Sequence, residues 1–241
     1  IFTKVGIDFE TKTKPMISCI CVSNRPHLIE DVLDKFDSQT YQNKELILVI
    51  EADDESFSQI KQLTKERKDL ILQRAFEHEI LGALLNKGVE LSRGDYIAKW
   101  DDDDLYGPEY LSDSMLAFNY SSADVIGKLE SYMYHQGTDS TYLRFENKRF
   151  RYQHLILGPT IIARRSVFDV VQFQERSVSE DTNFLKDCIK SKIKIFATDP
   201  YNFVYWRAAD KSKHTWQPED DQLLRNTRKV AQGLSTDEVF I

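Results

Sequence analysis

Four apolar, β-branched runs, residues 17–22, 46–51, 70–72 and 96–100, alternate with segments whose apolar side chains recur at helical spacing, residues 28–36, 57–63 and 81–91. Strand and helix in strict alternation predict a parallel sheet whose crossover helices cover both of its faces. Sheets of this kind take ligands at the carboxyl ends of their strands. The chemically loaded segments fall there: Ser23-Asn24-Arg25 after the first run, Glu51-Ala52-Asp53-Asp54 after the second, and Trp100-Asp101-Asp102-Asp103-Asp104 at the close of the fourth. Beyond residue 120 the pattern changes. Shorter, aromatic-rich strand candidates at 125–130, 141–145, 150–152, 160–163, 193–196 and 203–206 surround a helix at 182–188. They predict a mixed, partly antiparallel second half joining the first sheet. After Pro218 the spacing of Leu223, Leu224 and Val230 predicts a polar helix over 219–232 that stops at Gly233.

The chain has 241 residues, 41% hydrophobic and 29% charged, which suits one folded α/β domain rather than a disordered chain. Its expected organisation is a polar segment over residues 1–14 marking a boundary inside a longer protein, a folded α/β domain over 15–216 and a helical tail over 217–241. A net charge of −7 argues against a nucleic-acid partner, which would call for a basic face. Cys19, Cys21 and Cys188 offer neither zinc spacing nor a paired framework. Cys19 and Cys21, two apart in a strand, share a face as small apolar groups. No apolar run approaches the roughly 20 residues that span a bilayer, and no signal peptide is visible. A reducing, cytoplasmic location is expected, free or peripheral to a membrane or cell-surface assembly.

The aspartate run carries the most specific chemistry. An extended chain puts Asp101 and Asp103 on one side, and two carboxylates that close either share a proton or hold a cation. A hard ion, Mn²⁺ or Mg²⁺, suits an all-oxygen site and keeps positions open for substrate phosphates. The same acids also suit a helix start at Gly107-Pro108-Glu109. Ser179-Glu180-Asp181 can likewise be read as a helix cap, and Ser23-Asn24-Arg25 as a turn before Pro26.

Taken together, four segments in this order resemble family 2 glycosyltransferases of the GT-A fold. They are Ile17-Ser18-Cys19-Ile20-Cys21-Val22-Ser23-Asn24-Arg25-Pro26, residues 49–56, Gly82-Ala83-Leu84-Leu85-Asn86-Lys87-Gly88 running into Gly94 and the aspartate run, and Ser179-Glu180-Asp181. The resemblance implies a UDP-sugar donor, a Mn²⁺ or Mg²⁺ ion on its diphosphate, and a glycan or other hydroxyl acceptor. It further implies inversion by a single in-line displacement, in polysaccharide or cell-surface glycan synthesis.

Carried over residue by residue, Asp103 meets the metal and Asp101 the ribose or base, with Asp102 and Asp104 supporting them. Asp102 departs from relatives, which often carry a small residue there. Ser23, Asn24 and Arg25 take the nucleoside, Arg25 with a phosphate in reach as well. Either Glu51 or Asp53 accepts the uracil N–H, and Asn86, Lys87 and Trp100 complete the donor side. Asp181 is the implied base and Glu180 its orienter or an acceptor ligand. His214 is a second metal ligand, with Arg207, Lys211 and Trp216 nearby on the diphosphate or acceptor side. Gly158 lines the acceptor side, followed by Arg164 and Arg165. Tyr132, Tyr134 and Trp206 are candidates for stacking on sugar rings, although aromatic stripes more often form core. Two rival readings stay open: a sugar-nucleotide-binding domain without turnover, and a sugar nucleotidyltransferase. The latter needs a glycine-rich loop that Ser23-Asn24-Arg25-Pro26 lacks.

Overall fold

The structure, a computed structural model, describes residues 14–210 and 220–241. The chain begins with the alternation read above: β1 (Ile17–Ser23), α1 (Ile29–Asp37), β2 (Lys44–Glu51), α2 (Asp54–Thr64), β3 (Leu70–Ala75), α3 (Leu81–Leu91) and β4 (Tyr96–Lys99). The strands β3, β2, β1 and β4 lie side by side, all parallel, with Cys19 opposite Leu46 and Ala98. Alternate side chains then fall into two separate cores. Cys19, Cys21, Leu46, Leu48 and Ile50 pack with Val32 and Phe36 of α1 and Ile60 of α2. Ile20, Ile47 and Val49 pack on the other face with Leu84 and Leu85 of α3. Each such buried side chain stabilises the fold by about 1.5–3 kcal/mol.

The later elements are β5 (Leu105–Tyr106), α4 (Tyr110–Tyr120), β6 (Val125–Gly127), β7 (Ser131–His135), β8 (Ser140–Arg144), β9 (Arg151–Tyr152), β10 (Ile162–Arg164), α5 (Glu180–Lys190), β11 (Ile195–Ala197), β12 (Phe203–Arg207), α6 (Asp220–Leu223) and β13 (Thr227–Gln232). Four of the strands extend the first sheet as expected, in the order β4-β10-β6-β11-β9, with β10 antiparallel to both neighbours. The other five do not join it. They form a second sheet, β13-β8-β7-β12-β5, in which β7 and β12 are parallel and the remaining pairs antiparallel. The chain leaves the first sheet at Lys99 and enters the second at Leu105, so Asp101, Asp102, Asp103 and Asp104 are the crossing between the sheets.

The predicted helix over 219–232 is a correction. Only Asp220–Leu223 is helical, and Thr227–Gln232 is an edge strand paired antiparallel with β8. Its side chains are all half-open or exposed, which fits a sheet edge, and the partner that makes it a strand lies more than eighty residues earlier, beyond the reach of local periodicity. Among the described residues no helix is long and apolar enough to cross a membrane.

Candidate active site

Burial alternates along the crossing: Asp102 and Asp104 are buried, Asp101 and Asp103 half-open. The two open carboxylates thus share a side, as an extended segment requires. Each of the four acids is met differently. Asp102 accepts from the Ser23 hydroxyl at 2.5 Å and from Arg25 Nε at 3.0 Å, and Arg25 Nη2 pairs with its other oxygen. Arg25 Nη1 meanwhile reaches Asp103 Oδ2 at 2.9 Å. Burial opposes the Arg25 charge, but the hydrogen bonds and charges of Asp103 and Asp102 overcome it and hold the guanidinium more firmly protonated than usual. The buried acid at position 102 therefore aims Arg25 across its neighbour.

Asp101 is tied to the opposite wall. Its backbone N–H donates to Tyr106 Oη at 2.9 Å, and that hydroxyl donates to the Pro159 carbonyl at 3.0 Å, which fixes the crossing against the turn that begins at Gly158. Its carboxylate accepts from Lys99 Nζ at 2.6 Å, and the same ammonium lies 4.0 Å from Glu180 Oε1. Burial lowers the pKa of Lys99, yet Asp101, Asp181 and Glu180 outweigh it and shift the group upward. Burial also raises Asp101, with Lys99 opposing. Lys99 was not singled out from the sequence. The signal was there in a lysine within an otherwise apolar strand, Tyr96-Ile97-Ala98-Lys99-Trp100.

The Glu180-Asp181 pair opens α5. Ser179 precedes it in the left-handed region at φ 65° and makes no side-chain cap bond, so the serine does not act as a helix cap. A non-glycine residue held there carries strain of a kind that collects at functional sites. Glu180 is buried, and burial together with Asp181 pushes its carboxyl up to about 7, with Lys99 opposing. Asp181 is half-open beside the Gly158 turn. A Cβ at Gly158 would stand 1.8 Å from Asp181 Oδ2, so only glycine permits this approach. Asp104 closes the far end: its Oδ1 accepts the Trp206 N–H at 2.8 Å, and its buried Oδ2 has no hydrogen-bond partner among the described residues. Burial, then Asp103 and Asp101, push its pKa well up.

Several predicted residues lie elsewhere or have other duties. Trp100 is 1% exposed and stacks on Tyr106 at 3.8 Å, so it supports the crossing from the core and does not face a ligand. Asn86 spends its amide on the backbone of Phe173, donating at 2.8 Å and accepting at 2.9 Å, and so staples α3 to that segment. Lys87 is half-buried on α3 and forms no hydrogen bond or ion pair with another described residue. Asp53 caps α2 through the Ser56 N–H at 2.7 Å, whereas Glu51 ends β2 with its carboxylate uncommitted. Asn24 is exposed beside Arg25. Arg207 is buried at the end of β12. Arg165 donates to the Gly94 carbonyl and the Ser92 hydroxyl, at the amino-terminal end of β4 and away from the crossing. Tyr134 packs against Trp206 at 4.8 Å and Tyr132 against Tyr201 at 6.1 Å, ring contacts that serve packing of the second sheet. His214, Lys211 and Trp216 lie outside the described residues.

Could this constellation hold a divalent ion? Among the described residues no three His, Cys, Asp or Glu side chains form a metal cage. The half-exposed carboxylate of Asp103, paired here with Arg25, nevertheless fits Mn²⁺ or Mg²⁺ together with Asp101, since those ions bind through one or two carboxylates and complete their shell with substrate phosphates and water. The donor set is all oxygen, as those ions prefer.

The sequence profile of "Glycosyl transferase family 2" matches residues 18–174. A glycosyltransferase of Methanocaldococcus jannaschii, itself uncharacterised, is 22% identical over 207 residues, covering 80% of this chain and 71% of that protein. The glucosyl-dolichyl phosphate glucuronosyltransferase of Haloferax volcanii is 25% identical over 40% of this chain and 31% of its own length. Among solved structures, S. aureus TarS with UDP-GlcNAc superposes with a TM-score of 0.62 at 17% identity, over 80% of this chain and 58% of that one. The Pyrobaculum calidifontis mannosyltransferase with GDP-Man and Mn2+ gives 0.63 at 17%, over 81% and 57%. The chain thus spans less than two thirds of these structures, and at such identity the likeness is one of fold. With the family profile covering well over half of the sequence, from β1 past the aspartate crossing, and both superpositions giving the GT-A architecture, the chain belongs to glycosyl transferase family 2.

Proposed function

We propose that this domain is an inverting, metal-dependent hexosyltransferase that moves a sugar from a UDP-sugar to a hydroxyl of a glycan. The observation that carries the proposal is that one buried ammonium, Lys99, pairs with Asp101 of the sheet crossing and lies 4.0 Å from Glu180 at the start of α5, so that the half-exposed acids Asp103 and Asp181 belong to two acidic groups joined through Lys99. Separate acids for the leaving group and the nucleophile are what a single displacement needs.

In this mechanism Asp103 holds the divalent ion, with Asp101 beside it. When bound, the ion stabilises the charge that grows on the departing diphosphate. Arg25, aimed by Asp102, supplies a further cation next to Asp103 for the same phosphates. Glu51 accepts the base N–H, since Asp53 is occupied as a helix cap. Asp181 takes the proton of the acceptor hydroxyl as it attacks the anomeric carbon, and general-base help of this kind contributes about 10²–10⁴-fold. Glu180, buried beneath it, and Lys99 keep Asp181 oriented. Tyr106 ties the crossing to the turn beside Asp181 by bonding to both the Asp101 amide and the Pro159 carbonyl.

The test is a pair of substitutions. Asp103→Ala and Asp181→Ala are each expected to abolish transfer, while only Asp103→Ala weakens Mn²⁺-dependent binding of UDP measured by calorimetry. Equal loss of UDP affinity in both would refute Asp181 as the base. A panel of nucleotide sugars scored by thermal stabilisation with and without Mn²⁺ then identifies the donor. Release of UDP on turnover separates an enzyme from a domain that only binds.

A further inference from the structure

The inner face of the second sheet carries a buried cation that the steps above do not use. Arg144 ends β8 at 6% exposure. Among the described residues its guanidinium forms no hydrogen bond or ion pair, and its buried Nε has no acceptor. It lies instead over the rings of Phe145 and Tyr205, 5.3 and 5.4 Å from their centroids. Ring faces attract the charge but do not satisfy its N–H donors, and an unanswered buried guanidinium is costly.

Strand register shows what surrounds it. Arg144 lies opposite Ser131 on β7, while Tyr205 and Arg207 on β12 lie opposite Met133 and His135 of the same strand. Alternation puts Arg144, Tyr205 and Arg207 on one face. Arg207 Nη1 donates to Tyr205 Oη at 3.5 Å. Arg144 interacts electrostatically with Tyr205, Arg207 and Asp104, and Tyr205 with Asp104, Arg207, Arg144 and Asp103. Burial and the Arg207 charge both work against the Arg144 charge. Asp104 does not compensate it by contact, since no hydrogen bond or ion pair joins the two. Two guanidiniums and a phenol hydroxyl thus share one face, within electrostatic reach of Asp104 and, for Tyr205, of Asp103 as well.

We propose that Arg144, with Tyr205 and Arg207, forms an oxyanion subsite that takes a phosphate group of a substrate. This deepens the function proposed above and rests on it for the identity of the substrate, although not for the anion chemistry itself. Two sources fit that chemistry: the diphosphate of the donor, or a phosphate carried by the acceptor.

The test measures binding of inorganic phosphate, pyrophosphate, uridine and UDP to the full chain by calorimetry and thermal shift, in wild type, Arg144→Met, Arg144→Gln and Asp103→Ala. Metal-free wild type should bind pyrophosphate, and Arg144→Met should weaken it by about tenfold to a hundredfold, as expected for losing a charge-assisted contact. The ligand-free melting temperature of Arg144→Met should stay level or rise, because a buried charge without acceptors is removed. A merely structural arginine would give the reverse, a lower melting temperature with unchanged anion affinity, and that result overturns the proposal. So does a wild type that binds neither phosphate nor pyrophosphate. If Arg144→Met does not fold, Arg144→Gln decides: pyrophosphate affinity equal to wild type overturns, weakened affinity supports. The source follows from two arms. Weakened UDP but unchanged uridine binding in the variant marks the donor diphosphate, whereas phosphate bound through Arg144 under saturating UDP and Mn²⁺ marks the acceptor. Failure of the donor assignment would show separately, as Mn²⁺-dependent UDP binding that Asp103→Ala leaves intact.

Discussion

The two sheets differ in the balance of what they bury, although the first also encloses Ser18, Glu45 and Lys99. In the first, β1 and β2 set an almost unbroken apolar row into two cores, with Cys19, Leu46, Ile47, Leu48, Val49 and Ile50 fully enclosed. In the second, the enclosed side chains include Arg144, Arg207, His135, Ser131, Ser140 and Thr141, and its apolar cluster is small. A sheet rich in buried apolar area serves as scaffold. One that encloses charge gives up stability for chemistry, the usual trade at binding sites. The acids sit where one sheet hands the chain to the other, so the scaffold fixes their position while the polar sheet closes over them.

The largest effect expected is on chemistry alone. Asp181→Asn should lower turnover by about 10²–10⁴-fold while leaving the urea midpoint where it is. A comparable shift in midpoint would mean that α5 is scaffold rather than site. Leu48→Ala should do the opposite and cost about 2–5 kcal/mol in urea unfolding, with turnover of the folded fraction unchanged. If that loss were matched by truncating Val204 in the second sheet, the contrast between the sheets would fail. Gly158→Ala falls between them. Its added methyl meets Asp181, so an overpacking cost of about 1–3 kcal/mol should accompany a drop in turnover with donor affinity unaltered.

The smallest effect is a dependence of stability on pH. The Glu180 carboxyl is raised from 4.5 to about 7 in the folded protein. Below pH 4.5 it is neutral both folded and unfolded, and its contribution is fully present. As pH rises from there to about 7 the unfolded chain ionises first, so stability falls through that window and levels off above it. Glu180→Gln should flatten this part of the melting-temperature curve. An unchanged slope would place the raised carboxyl elsewhere.

Much of the scaffold was legible because its signals are local. Unbroken apolar runs and helical spacing identify β1 to β4 and their helices, and Cys19 and Cys21 share a core as their spacing implies. The aspartate run stood out as charge at the end of an apolar strand. Misreadings came where a non-local partner decided the outcome. β13 is a strand only because β8 offers it an edge. Asn86 and Trp100 sit in motifs that the family resemblance assigns to donor binding, yet one bonds the backbone of Phe173 and the other stacks on Tyr106. Asp53 and Glu51 are alike in type and nearly adjacent, and a helix start claims only the first.

By itself the sequence determined an α/β sheet and a cluster of acids at the carboxyl end of its fourth strand, because hydrophobic period and charge are properties of short stretches of chain. Tertiary structure decided which acids are open and which are buried, that Lys99 joins the two acidic groups, and that Arg144, Tyr205 and Arg207 share a face. Those facts depend on strands distant in the chain packing side by side, and no local pattern encodes which pairs will meet.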